Sequence, residues 1–186
     1  DECMELTSYF LKVLNMQDDV TIRLSKWDPA NKDKYIQFIG DSMVDYDTSF
    51  AHRVGDVLGW DYSVVVGNTL PSTSVSRVPD VFVLFLGTDA INASSTQTEI
   101  NNFVNAYSAL ATSIKNKNSS ATIYILQSLT NSANASDASA RNSAITSAVT
   151  AIKNNGISVS IINPGAWDVE FDTSVSTKYP TVNGDY

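Results

Sequence analysis

The sequence predicts an α/β fold, a three-layer doubly wound parallel sheet, and three observations carry that expectation. From residue 35 onward, short β-branched and aromatic runs alternate with longer segments of helical period. The middle run, Asp80-Val81-Phe82-Val83-Leu84-Phe85-Leu86-Gly87, is continuously apolar, as a parallel strand covered on both faces must be. The runs also end at Gly40, Gly67 and Gly87, so their loops would gather at one rim, the C-terminal edge where such sheets keep their working sites.

Two units are expected, residues 1–34 and 35–186. In the first, Tyr9-Phe10-Leu11-Lys12-Val13-Leu14 and a run over 20–27 flank Gln17-Asp18-Asp19. The second run alternates apolar and polar, which reads as a short antiparallel β pair with one wet face. Residues 28–34 are a polar linker. The second unit opens with a buried strand over 35–39 that ends abruptly in Gly40-Asp41-Ser42. A helix over 48–58 follows, with Phe50, Val54, Val57 and Leu58 as its apolar stripe and Gly59 closing it.

Residues 62–66 make a short strand ending at Gly67-Asn68, and a Ser/Thr-rich loop over 71–78 leads into the central strand. The helix over 97–115 places Ile100, Phe103, Val104, Tyr107, Leu110, Ala111 and Ile114 on one side. Another strand covers 121–127. An Ala-rich helix over 136–154 buries Ile145, Val149 and Ile152 and stops at Gly156. A last strand over 157–162 precedes a long loop to Tyr186. Strands joined by helices of this length need right-handed crossovers, hence the parallel sheet.

Composition bounds the function. With 186 residues the chain can bury a full core, and its 17% charged content means a surface covered by Ser, Thr and Asn. The net charge of -8 excludes the basic footprint that nucleic acid or an anionic membrane requires. No stretch approaches the length of a membrane helix. Cys3 is the single cysteine, so an internal disulfide and a multi-thiolate metal site are excluded. No phosphate loop or nucleotide fingerprint occurs, and neither cofactor nor metal is expected. Asp1 stands where an initiator Met would, and the chain is read as processed or as a fragment. Asn-X-Ser acceptors, possible glycosylation sites, occur at Asn92, Asn118 and Asn134, about as often as chance gives in a chain this rich in Asn, Ser and Thr; the polar surface is what points to an extracellular protein.

Gly40-Asp41-Ser42, Gly67-Asn68, Gly87-Thr88-Asp89 and Pro180-Thr181-Val182-Asn183-Gly184 together resemble the four blocks of the SGNH, or GDSL, hydrolases. Within that superfamily, with its flavodoxin-like sheet, the run from Val13 to Lys26 ahead of the first block looks like the tail of the β-sandwich preceding the catalytic domain of family-two carbohydrate esterases. The resemblance implies acyl transfer on carbohydrate acetyl esters, with Ser42 as nucleophile and oxyanion donor and Gly67 as a second donor.

Other positions depart from the pattern. Asp89 replaces the oxyanion Asn, and an ionised carboxylate repels the charge that an amide would stabilise. Asn92, nearby, is an alternative donor. Tyr179 replaces the histidine of the fourth block, and neither Ser176 nor Thr177 supplies its carboxylate partner. A phenol is a poor base at neutral pH. The only histidine, His52, lies about 200° round its helix from the apolar stripe and is expected to face solvent. Asp41, Asp45 and Asp47 read as turn and cap residues.

The chain also ends before the closing C-terminal helix that the family usually has, which would leave an apolar sheet face for another protomer to cover. The expected function is therefore an extracellular, carbohydrate-esterase-like protein, catalytically impaired, that serves self-assembly or glycan binding. The alternative is an active serine esterase that deacetylates carbohydrate esters through Ser42. Trp60, Trp167 and Tyr179 are the aromatic candidates for stacking on a sugar, although aromatics of this kind more often pack in a core or loop.

Overall fold

Beginning at β1 (Tyr35–Gly40), the chain builds a five-stranded parallel sheet of order β2-β1-β3-β4-β5. The computed structural model describes residues 34–41, 44, 50–58, 60–67, 78–128 and 135–163. The expected N-terminal β pair, Ser42 and the segment where a closing helix would follow lie outside the described residues. The strands are β2 (Asp61–Val66), β3 (Val81–Phe85), β4 (Thr122–Leu126) and β5 (Ser160–Ile162). The helices are α1 (Phe50–Leu58), α2 (Gln97–Lys117) and α3 (Ala135–Asn154).

Strand alternation divides the core into two layers. Ile36, Phe38, Val81 and Val83 face α1 and pack with its Phe50, Ala51, Val54 and Leu58. Ile39, Phe82, Leu84, Ile123 and Ile125 point the other way, towards Tyr107, Leu110 and Ile114 of α2 and Ile145 and Ile152 of α3. Right-handed crossovers require this division. The chain leaves β1 in one direction for β2 and in the other for β3 to β5, so α1 must lie opposite α2 and α3.

The polar residue within β1 is satisfied laterally. Gln37 is buried, and its Nε2 donates to Ser63 Oγ on β2 at 3.0 Å. Asp80 aligns the strand starts. Its Oδ2 accepts the Tyr35 N–H at 3.0 Å, and its carbonyl accepts the Thr122 N–H at 2.9 Å.

The central and last strands are shorter than the sequence predicts, each for a local reason. The central strand stops at Phe85 because the Leu86 N–H turns away from the ladder to the Tyr107 hydroxyl, at 3.2 Å. The last strand starts at Ser160 because Gly156, at φ +77°, ends α3 in a Schellman turn. In that turn Gly156 donates to the Lys153 carbonyl and Ile157 to the Ile152 carbonyl, at 2.9 and 3.2 Å. The first helix turn of α2 is fixed by a capping box between Thr96 and Glu99. The bonds from Thr96, backbone first, hold the Glu99 carboxyl below its usual value.

Candidate functional site

The strand ends define the site. β1 ends at Gly40, level with Val66 of β2 on one side and Phe85 of β3 on the other. The connections from β1 and into β3 part company here, the switch point at which open α/β sheets hold ligands. Only glycine fits at position 40, because a Cβ would lie 2.7 Å from the Phe85 carbonyl and overlap Val44. Gly67 and Gly87 both take positive φ, +117° and +119°, and turn the chain away from β2 and β3.

Asp41 joins two of these loops. It is 9% exposed, and its Oδ2 accepts the Thr88 N–H at 2.7 Å. Its own N–H donates to the Phe85 carbonyl at 3.3 Å, and its carbonyl accepts from Val44 at 3.2 Å. Between this rim and α2 is a cleft of about 220 Å³. Leu86, Phe103, Ala106, Tyr107 and Leu110 line it, together with Gly67, Gly87 and the buried Asp41, and the exposed Asp89 stands at its mouth. Burial pushes the Tyr107 hydroxyl far above its usual pKa; its bond to Leu86 lowers it slightly, and the charge of Asp41 raises it again. The phenol therefore stays protonated and acts as a hydrogen-bonding brace rather than a base.

Ser42, Tyr179, Asn134, Trp167, Asp45 and Asp47 lie outside the described residues, although Ser42 follows directly on Asp41. Asp89 is exposed on the turn closed by the Ala90 and Ile91 N–H groups on the Gly87 carbonyl, and it lines the cleft. The Gly67 N–H donates to the Gly40 carbonyl at 2.7 Å, so service as an oxyanion donor requires that bond to be shared. Asn92 is exposed, and its Oδ1 accepts the Ser94 N–H at 2.8 Å in an Asx turn outside the cleft lining. Its side chain is open to solvent, as a glycan acceptor must be. Asn118 differs: its Nδ2 donates to the Pro79 carbonyl at 3.0 Å and its Oδ1 accepts from Ser120.

His52 corrects an expectation. Rather than facing solvent it is half-buried against Tyr62, with Nδ1 3.2 Å from the tyrosine hydroxyl and the rings edge-on at 5.6 Å. Gly55, one turn along α1, leaves the notch that the Tyr62 ring fills. Both residues belong to the α1 side of the sheet, whereas the cleft opens towards α2. Trp60 takes the packing role and not the stacking one. It packs into the α1-side core at the start of β2, at the end away from the cleft mouth, and its indole N–H is buried.

Arg141 was not singled out by sequence. It is 5% exposed; Nε donates to the Ile91 carbonyl and an Nη to Ser128 Oγ, both at 3.3 Å. One turn earlier, Asp137 accepts the Ala93 N–H at 2.8 Å. These two α3 side chains anchor the loop that carries Asp89. The available signal was spacing: position 141 precedes Ile145, Val149 and Ile152 on the same helical stripe.

No family model and no curated protein matches the sequence. Solved structures of family 2 carbohydrate esterases share its fold. One from Clostridium thermocellum, solved in complex with cellohexaose, is 19% identical with a TM-score of 0.55, covering 73% of this chain and 55% of its own. A second, from Corynascus thermopiles (Myceliophthora fergusii) and joined to a carbohydrate binding domain, is 18% identical with a TM-score of 0.51; the coverages are 70% and 56%. An acetyl xylan esterase from the rumen bacterium Butyrivibrio proteoclasticus is 15% identical with a TM-score of 0.55, covering 70% and 55%. The match thus spans little more than half the length of each of these proteins. The likeness is one of fold: an all-parallel sheet with flanking helices.

Proposed function

We propose that this chain is an extracellular, carbohydrate-esterase-like protein that binds glycan at the C-terminal rim of its sheet and has lost the acyl-transfer step. The observation that carries this is the position of His52, the chain's only histidine: it is bonded to Tyr62 on the α1 side, across the sheet from the cleft. A general base must come within about 3 Å of the serine hydroxyl. Without one, Ser42 keeps its proton and attack on an ester carbonyl stalls.

Two further features support the same reading. Asp89 brings a carboxylate to the mouth, where the resemblance calls for an amide donor. The Gly67 N–H is engaged by the Gly40 carbonyl. Binding can outlast turnover, because the walls of the cleft do not depend on a base. The surface rich in Ser, Thr and Asn supports secretion. The solved complex of the Clostridium thermocellum esterase with cellohexaose makes that oligosaccharide the natural first probe.

Calorimetric titration with cellohexaose, beside an acetylated xylo-oligosaccharide, tests the proposal. Saturable heat with no acetate released is the expected result. Absence of any saturable signal would replace glycan binding with a role in assembly, for which sedimentation would show self-association. Acetate release that disappears in Ser42→Ala would establish the alternative, an active serine esterase.

A further inference from the structure

The cleft interior has a chemistry of its own, and the inference drawn from it rests on the reading of the rim as a binding site. Among the described residues that line the cleft, Leu86, Phe103, Ala106 and Leu110 carry no polar side-chain atom, and Tyr107 has its hydroxyl bonded to the Leu86 backbone. A sugar hydroxyl set against these five side chains would give up its water without gaining a partner. An apolar group gains instead. The volume of about 220 Å³ exceeds the roughly 150 Å³ of an apolar cavity that holds benzene, and an acetyl group would leave most of it empty.

Two walls are aromatic. Phe103 and Tyr107 pack with ring centroids 5.0 Å apart at 64°, the edge-on arrangement that readily extends to a third ring. Asp41 in the lining and Asp89 at the mouth repel an anion and not a neutral ester. We infer that the cleft accepts an aromatic acyl group presented as a neutral ester, its ring lying in the interior on Phe103 and Tyr107 and its alkoxy side, sugar or otherwise, at the rim.

Ligand-observed NMR titration of the full chain with methyl benzoate, methyl acetate and sodium benzoate tests this. Methyl benzoate should bind at least about tenfold more tightly than methyl acetate, the difference expected from burying a ring in place of a methyl group. Sodium benzoate should bind more weakly than its ester and should gain affinity as salt screens the two carboxylates. Ala106→Leu, which fills the cavity from α2, should abolish saturation by methyl benzoate, and the smaller Ala106→Val should weaken it, so the test does not hang on one variant folding.

Equal affinity for the two esters, benzoate binding as tightly as methyl benzoate at low salt, or wild-type binding by a folded Ala106 variant would each overturn the inference. The underlying reading fails differently. Benzoate released from the ester by the wild type and not by Ser42→Ala would end the non-catalytic reading while confirming the pocket. Methyl benzoate binding without cellohexaose binding would remove the glycan and keep the acyl group.

Discussion

The carboxylate of Asp41 sits at the junction of two loops, only 9% exposed, with its Oδ2 2.7 Å from the Thr88 N–H. Removing it leaves the half-buried Thr88 N–H without its charged acceptor, a loss of about 1–3 kcal/mol. Asp41→Ala should lower the urea midpoint accordingly, whereas Asp41→Asn, which keeps an accepting oxygen, should recover most of it; equal losses would show that charge rather than acceptance matters. The sequence marked Asp41 as a turn residue, which it is. It could not show a partner 47 positions away, because local pattern carries no strand register. His52 was misjudged for a related reason. Its angle on α1 was right, but the ring it meets comes from β2, through a notch that Gly55 leaves open.

Helix types were legible because a period of 3.6 runs through them, and strand types because their apolar runs are short, β-branched or aromatic, and bounded by turn residues. Their ends were less so, since ends are decided by where single N–H groups go. At the end of α3, Gly156 adopts φ +77° with open space around it, and Ile157 turns back to bond Ile152. A Cβ there meets no neighbour, yet the left-handed backbone still penalises it by about 1–2 kcal/mol. Gly156→Ala should therefore destabilise by that amount in thermal unfolding, and Gly156→Asn by less; a neutral Ala substitution would contradict the assigned turn. The loop bearing Asp89 is held from α3 by Asp137 and Arg141, so the outer rim of the site depends on a helix that does not line it. Nothing in the spacing of polar residues along α3 announces that task. Arg141 merely occupies a core position.

For the molecule as a whole, strand-helix alternation plus the hand of the crossovers was enough to place the rim, and the order β2-β1-β3-β4-β5 puts the switch point at β1 and β3. The interior of the cleft was not legible. Phe103, Tyr107 and Leu110 belong to one helical stripe and read as uniform core, but α2 packs so that part of that stripe lines a cavity. Sequence gives the stripe and not the gap beside it. The sheet shares its fold with family 2 carbohydrate esterases, while the chain's only histidine is held across the sheet from the cleft by Tyr62. The proposed loss of turnover rests on that arrangement, and one assay reaches it directly. Hydrolysis of an aryl acetate should be compared for the wild type, Ser42→Ala and His52→Ala from pH 5 to 9. The account predicts three indistinguishable, slow rates without inflection; a wild-type rate that falls in Ser42→Ala and titrates with pH would contradict it and require a base that the fold has brought to Ser42.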